Sequence, residues 1–202
     1  APEIPKDYIT PLIEDTSELH ITHWVNNDEP QLNGQRLAIE SNESSRSLAI
    51  APDGKSFVLG AQWNLYRFSS AGERMWSAPT PGTGWGVNLS ADGTILISAL
   101  GDGTIRWFNA ETGAELLAFF VHTPDKRWVA WTPTGYYTAS PGGEDLIGWH
   151  LNGKTWNDQV EFFPASRFRD RFYRPDIVQR VLKTNDEARA IAEANAMAKR
   201  KI

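Results

Sequence analysis

Cysteine is absent from the 202 residues. That excludes disulfides, thiolate zinc sites, iron–sulfur clusters and a cysteine nucleophile within this chain. No apolar run approaches the roughly 20 residues that span a bilayer. The chain is therefore expected to be soluble and cytoplasmic, with no membrane partner. There is no Gly-x-Ser-x-Gly elbow, and none of the four histidines stands near such a motif, so no Ser-His-Asp set can be assembled. The expectation is a protein that is not an enzyme, with no catalytic residue, no metal and no cofactor. The first residue is Ala1, which reads as a chain processed, trimmed or excised from something longer.

What is present is ordinary globular composition, 41% hydrophobic and 22% charged. Charge is uneven. Residues 1–166 hold 10 Lys and Arg against 20 Asp and Glu, whereas residues 167–202 hold 10 against 5. All nine tryptophans fall between Trp24 and Trp156. An acidic, Trp-rich body is thus followed by a basic tail.

The body repeats. Pro52-Asp53-Gly54, Ala91-Asp92-Gly93 and Pro133-Thr134-Gly135 are turn signals whose glycines lie 39 and 42 residues apart. Each sits between two apolar runs: 47–50 and 56–60, 86–89 and 94–98, 128–131 and 136–139. A third run (65–68, 105–108, 146–149) closes each unit on an aromatic. With an earlier copy at 21–24, the closing residues are Trp24, Phe68, Phe108 and Trp149, spaced 44, 40 and 41. A fourth strand such as 115–120 completes a unit. Four short antiparallel strands in about 40 residues is the blade of a β-propeller. The alternative is a β-sandwich with accidental periodicity. The fold class predicted is all-β, about three and a half propeller blades followed by a short α-helical tail. The domains predicted are an N-terminal extension or loop (1–18), blades (19–160) and a basic exit segment with helical tail (161–202).

The stretch Gly103-Thr104-Ile105-Arg106-Trp107-Phe108-Asn109-Ala110-Glu111-Thr112-Gly113 resembles the closing strand and turn of a WD40 repeat, with Phe108-Asn109 where that family has Trp-Asp. The family's Gly-His pair is missing from every unit, so the repeats are divergent; the match covers residues 19–156. Two longer stretches, 131–150 and 162–176, resemble the last blade and exit segment of bacterial WD40-repeat proteins associated with caspase-like protease domains, and this closer likeness extends over residues 30–195. The resemblance implies that the chain is part of a larger ring, with other blades before Ala1 and other domains after Ile202. It carries over no catalytic residue, because that family's Cys and His belong to the protease domain.

Several groups have chemical potential. His20 and His23 are spaced like metal ligands, but three apart on a strand they point to opposite faces. His122 and His150 sit at strand ends without a nearby carboxylate cluster. Pro141-Gly142-Gly143-Glu144-Asp145 lacks the Lys-Ser/Thr of a phosphate loop and is expected to be a hairpin turn, its carboxylates capping turn amides. Asn42-Glu43-Ser44 and Asn88-Leu89-Ser90 match the glycosylation triplet, although Asn88 is expected in a core strand. The tryptophans are expected to pack between blades, with Trp63 and Trp85, beside turns, as the two that reach a surface. Arg167, Arg169, Arg171 and Arg174 alternate with Phe168, Phe172 and Tyr173. That permits nucleic-acid contact by charge and stacking; it equally permits docking on the acidic body, which the charge balance favours. Trp63, Trp85 and the four arginines form the candidate interaction surface.

Pro175 suits the first turn of a helix and Asp176 its dipole. Thr184 and Glu187 have capping-box spacing before an Ala-rich run ending in Lys199, Arg200 and Lys201. That last helix has few apolar residues and is expected to be marginal without a partner.

The expected function is a non-catalytic scaffold for protein–protein interaction and regulation, in a protein associated with a caspase-like protease. The alternatives are nucleic-acid binding through the tail and a hydrolase site in the propeller channel. The expected partners are the remaining blades, from an N-terminal fragment or a second copy, and a caspase-like protease or its target. Open blade faces are expected to expose Ile50, Val58, Ile95, Ile97 and Val129.

Overall fold

The computed structural model describes residues 16, 18–151 and 161–199. Most of the expected N-terminal extension, with Trp156, Arg200 and Lys201, lies outside the described residues.

The three turn signals fold as read. Gly54, Gly93 and Gly135 donate to the carbonyls of Ala51, Ser90 and Thr132 at 2.8, 2.8 and 2.9 Å, and all three have positive φ (67°, 70° and 94°). A type I turn closed by a left-handed residue needs glycine there, because a Cβ is strained at such φ. Each turn joins two strands: β4 (Ser45–Ile50) to β5 (Ser56–Ala61), β8 (Gly84–Leu89) to β9 (Ile95–Leu100), and β12 (Trp128–Trp131) to β13 (Tyr137–Ala139).

The chain forms two compact units. The first comprises residues up to Gly103 with 108–114. Its centre is an antiparallel meander of β4, β5, β6 (Asn64–Ser69) and β7 (Arg74–Pro79), in that order. This is one complete propeller-like blade, with Leu48 opposite Leu59 and Phe57 opposite Phe68. Strand alternation gives the blade two apolar faces. Leu48, Ile50, Phe57, Leu59, Tyr66 and Phe68 face Leu19, Ile21, Leu32 and Leu37. Ile21 and Leu32 pair within a short sheet of β1 (Ile21–Thr22), β2 (Gln31–Leu32) and β3 (Gln35–Arg36). The other face sets Ala49, Val58 and Leu65 against Val87, Leu89, Leu96 and Phe108. Backbones come close there: a Cβ on Gly60 would lie 2.4 Å from Ser47 Oγ and 2.7 Å from the Gly84 carbonyl.

This double cover corrects the expected open faces at Ile50 and Val58, which are buried (3% and 0% exposed), whereas Ile95 and Ile97 are only half-buried. The closing aromatics Phe68 and Phe108 are buried. Asn88 stands on β8 but faces outward.

The second unit holds residues 104–107 and the chain from Glu115. It therefore takes the start of β10 (Ile105–Asn109), with β11 (Glu115–Val121), β12 and β13. Here the repeat departs from expectation. β12 pairs directly with β11, Ala118 opposite Trp131 and Val121 opposite Trp128, so the third repeat extends a sheet instead of opening a separate blade. The 141–145 segment is no hairpin turn: Gly143–Leu146 is a 3-10 helix, entered through Gly142 at φ 72°. β14 (Gly148–Leu151) then pairs with β15 (Glu161–Pro164), apart from β13. Val129, expected on an open face, is fully buried.

Two layers cover this sheet. Leu116, Leu117 and Ala130 pack against Ile177, Val178 and Val181 of helix α2 (Pro175–Thr184), following the short α1 (Arg169–Phe172). On the opposite face Val129 and Tyr137 pack with Ala165, Phe172 and Tyr173. The exit chain also shields the edge of β13, Arg174 N–H donating to the Tyr137 carbonyl at 3.0 Å.

Pro175 is in the first turn of α2. Thr184 instead ends that helix, and Asp186 caps α3 (Glu187–Lys199), its Oδ1 accepting from Arg189 N–H at 2.7 Å. Glu187 accepts the Thr134 hydroxyl at 2.5 Å, so the expected capping box does not form. Nor does α3 stand alone: Ala190 and Ala194 are buried beside α2, where small side chains let the helices approach. Removing the Ile177 side chain, fully buried between α2 and the sheet, is expected to cost about 2–5 kcal/mol. Urea unfolding of Ile177→Ala measures it, and a change within error would mean the tail is not part of this core.

Candidate functional site

In the first unit β5 and β6 are joined by Gln62 and Trp63, β7 and β8 by 80–83, and β9 is followed by 101–104. Alternating strand direction brings these three loops to one end of the sheets, opposite the turns at Gly54 and Gly93. Trp63 and Trp85 both lie there. They are 60% and 61% exposed, and they line a shallow cleft of about 380 Å³ with Pro81, Gly82, Thr83 and Asp102. The guanidinium of Arg46, on β4, lies 5.6 Å from the Trp85 ring centre, within cation–π range.

The loops are held by polar groups. Glu43 is 2% exposed. Its Oε1 accepts Trp63 N–H and Asn64 N–H at 2.6 and 2.8 Å, and its Oε2 accepts Asn64 Nδ2 at 3.1 Å and the Tyr66 hydroxyl. Gln62 Oε1 accepts Ser44 N–H at 3.1 Å. Thr80 N–H donates to the Trp63 carbonyl and Gly101 N–H to the Thr83 carbonyl, both at 2.8 Å. Both exposed indoles thus project from an ordered rim. Both rings are large and exposed, on backbone whose amides are satisfied.

Trp24, Trp76, Trp107 and Trp131 are half-buried at the margins of apolar clusters rather than inside them. Trp76 donates its Nε1–H to the Ala110 carbonyl at 2.9 Å.

The four arginines belong to the second unit, each beside a ring or carboxylate. Arg167 lies 4.2 Å from the Phe163 ring centre and Arg171 5.2 Å from that of Phe172. Arg169 sits 4.1 Å over Tyr173 and pairs with Glu144 at 2.5 Å. Arg174 forks onto Asp176 through two 2.8 Å bonds. Glu144, read as a turn cap, instead accepts the Tyr137 hydroxyl at 2.8 Å. Burial raises its pKa, but the hydrogen bonds from Tyr137 and Arg169 outweigh that and hold it below the usual range.

His20 and His23 are exposed around a two-residue strand. His122 does have a carboxylate: its Nδ1 lies 2.8 Å from Asp125, which also takes Arg127 Nε at 2.8 Å. The His122 hydrogen bond, then those from Arg127, depress the Asp125 pKa strongly. This trio closes the exposed turn from β11 to β12. Among the described residues no three His, Cys, Asp or Glu gather as metal ligands, and no helix is long and apolar enough to cross a membrane.

Glu43 and Arg46 had no sequence signal. The partners of Glu43 lie 20 to 23 residues away, and only the meander brings them to it.

No family model and no curated protein matches the chain. Among solved structures it is similar to the structure of U3-55K and to the crystal structure of RRP9 WD40 repeats, each at 18% identity and a TM-score of 0.40. Each match covers 49% of this chain and 39% or 38% of the other, so the chain spans about two fifths of those proteins. The class assigned here, antiparallel all-β with a propeller-like blade and a helical tail, rests on strand order and register.

Tyr66 and Tyr137 give a pH test. Burial, then the hydrogen bonds to Glu43 and Glu144, push both phenols well above their ordinary value near 10. A phenol whose folded-state pKa is raised stabilises the fold fully below about pH 10 and progressively less as pH climbs toward the folded value. Ultraviolet titration should show these two ionising only together with alkaline unfolding. Ionisation of Tyr66 and Tyr137 near pH 10, with the fold intact, would contradict the buried pairs. Glu43→Ala strands two amides and a phenol, and should lower stability by about 2–4 kcal/mol in urea unfolding.

Proposed function

We propose that this chain is a non-catalytic interaction module, a WD40-type blade set that presents the Trp63–Trp85 cleft to a protein partner. The observation that carries the reading is the adjacent exposure of these indoles on an ordered rim. Exposed tryptophans flanked by loop backbone are the residues that dominate protein interfaces. The resemblance of residues 131–150 and 162–176 to caspase-associated WD40 proteins supports a caspase-like protease, or its target, as that partner. The half-buried Ile95 and Ile97 support a further blade against β9, from an N-terminal fragment or a second copy. The domain division 1–18, 19–160 and 161–202 and the cytoplasmic setting belong to the same proposal.

Calorimetric titration with a recombinant caspase-like protease domain of the same bacterial family tests this. Binding is expected, and the double substitution Trp63→Ala with Trp85→Ala should weaken it at least about tenfold, or 1.4 kcal/mol. No binding, or binding that ignores both tryptophans, would overturn the proposal.

The tail arginines do not favour the nucleic-acid reading, because phosphate would have to compete with Glu144, Asp176 and the stacked rings. Fluorescence anisotropy with labelled duplex and single-stranded DNA at low ionic strength should show no salt-dependent binding. A steep salt slope that Arg167→Ala and Arg171→Ala reduce would reverse this conclusion.

A further inference from the structure

A second concavity lies wholly within the second unit. It measures about 340 Å³ and is lined chiefly by Trp131, Thr132, Tyr137, Ile147, Trp149 and Ala165. Its walls are held in place. Trp149 packs on Phe172, ring centres 4.5 Å apart, and edge-on to Phe168. The same indole lies over Gly135, where a Cβ would come within 2.1 Å of its ring carbons. Tyr137 is fixed through its hydroxyl to Glu144.

One lining residue is chemically out of place. Thr132 is fully buried, and its Oγ1 has no hydrogen-bond partner. A buried hydroxyl without a partner is destabilising, and valine would fill the same space without that cost. Thr132 borders the concavity, and rotation about χ1 carries its Oγ1 among three staggered wells, through which it can turn toward a polar atom placed there. The volume exceeds the roughly 150 Å³ that takes a benzene ring and falls within the range of small-molecule sites.

We infer that this concavity binds a small aromatic molecule carrying a single hydroxyl or ring N–H. The Trp131, Tyr137 and Trp149 rings supply the apolar walls, and the Thr132 hydroxyl supplies the one polar contact. Charge plays no part, since the nearby carboxylate, Glu144, is engaged by Tyr137 and Arg169.

The probes are p-cresol and p-xylene, nearly isosteric molecules that differ in a hydroxyl. Calorimetric titration of the full chain gives the two affinities, and NMR shifts of the indole N–H signals of Trp131 and Trp149 locate the binding. In the parent protein both signals should move with p-cresol. Thr132→Val should lower p-cresol affinity about five- to tenfold, the worth of one hydrogen bond, and leave p-xylene within about twofold. Thr132→Val itself should be at least as stable as the parent in urea, which separates lost recognition from lost folding. Ala165→Leu, which fills the concavity, should abolish binding of both probes. Absence of any p-cresol shift at millimolar concentration, or equal effects of Thr132→Val on the two probes, would overturn the inference.

Discussion

A buried carboxylate has to find donors for its oxygens, and in the first unit everything at the loop end follows from how Glu43 finds them. Two consecutive backbone amides, an amide side chain and a phenol converge on it. The amides belong to the residues that turn the chain from β5 into β6. Their satisfaction by a side chain fixes a two-residue loop, and with it the direction of Trp63. Tyr66 in turn spans the blade: its ring lies among Leu48, Leu59 and Phe68, and its hydroxyl reaches Glu43 and accepts Glu40 N–H at 3.1 Å. Core packing and the outward display of an indole are therefore one arrangement. Loss of the carboxylate would damage both.

The second unit solves the same problem with different parts. Glu144 is met by Tyr137 and by Arg169 of the exit segment, so its carboxylate ties chain after the sheet back to the sheet. Both faces of β11–β13 are covered, one by α2 and the other by the exit segment. Helix α2 covers one face of this sheet, whereas the β4–β7 blade is covered on both faces by residues of strands and loops. The physical demand, apolar cover on both faces of a sheet, is the same as for the β4–β7 blade; only the covering element differs.

These arrangements give the two units different surfaces. The first offers large exposed rings around a shallow cleft. The second offers a smaller concavity bordered by one unpaired hydroxyl.

Much of the local architecture was legible in the sequence. Turns with a glycine that must take positive φ, flanked by β-branched and aromatic runs, located three hairpins, and Pro175 located the start of α2. Local chemistry suffices there, since the preferences act within a few residues. The exposure of Trp63 and Trp85 was legible for the same reason: both lie beside turns. The sequence did not reveal which strands would pair after β11. Trp128–Trp131 has the same pattern whether it opens a blade or extends a sheet, and pairing is decided by contacts far apart in the chain. It did not distinguish Glu144 as a turn cap from Glu144 as the ligand of Arg169, 25 residues away. Composition left the Ala-rich helix marginal; only α2 against α3 shows that small side chains suit it to close packing. Local conformation was written in neighbouring residues, whereas strand pairing and the ownership of each buried charge and hydroxyl were decided only when distant segments met.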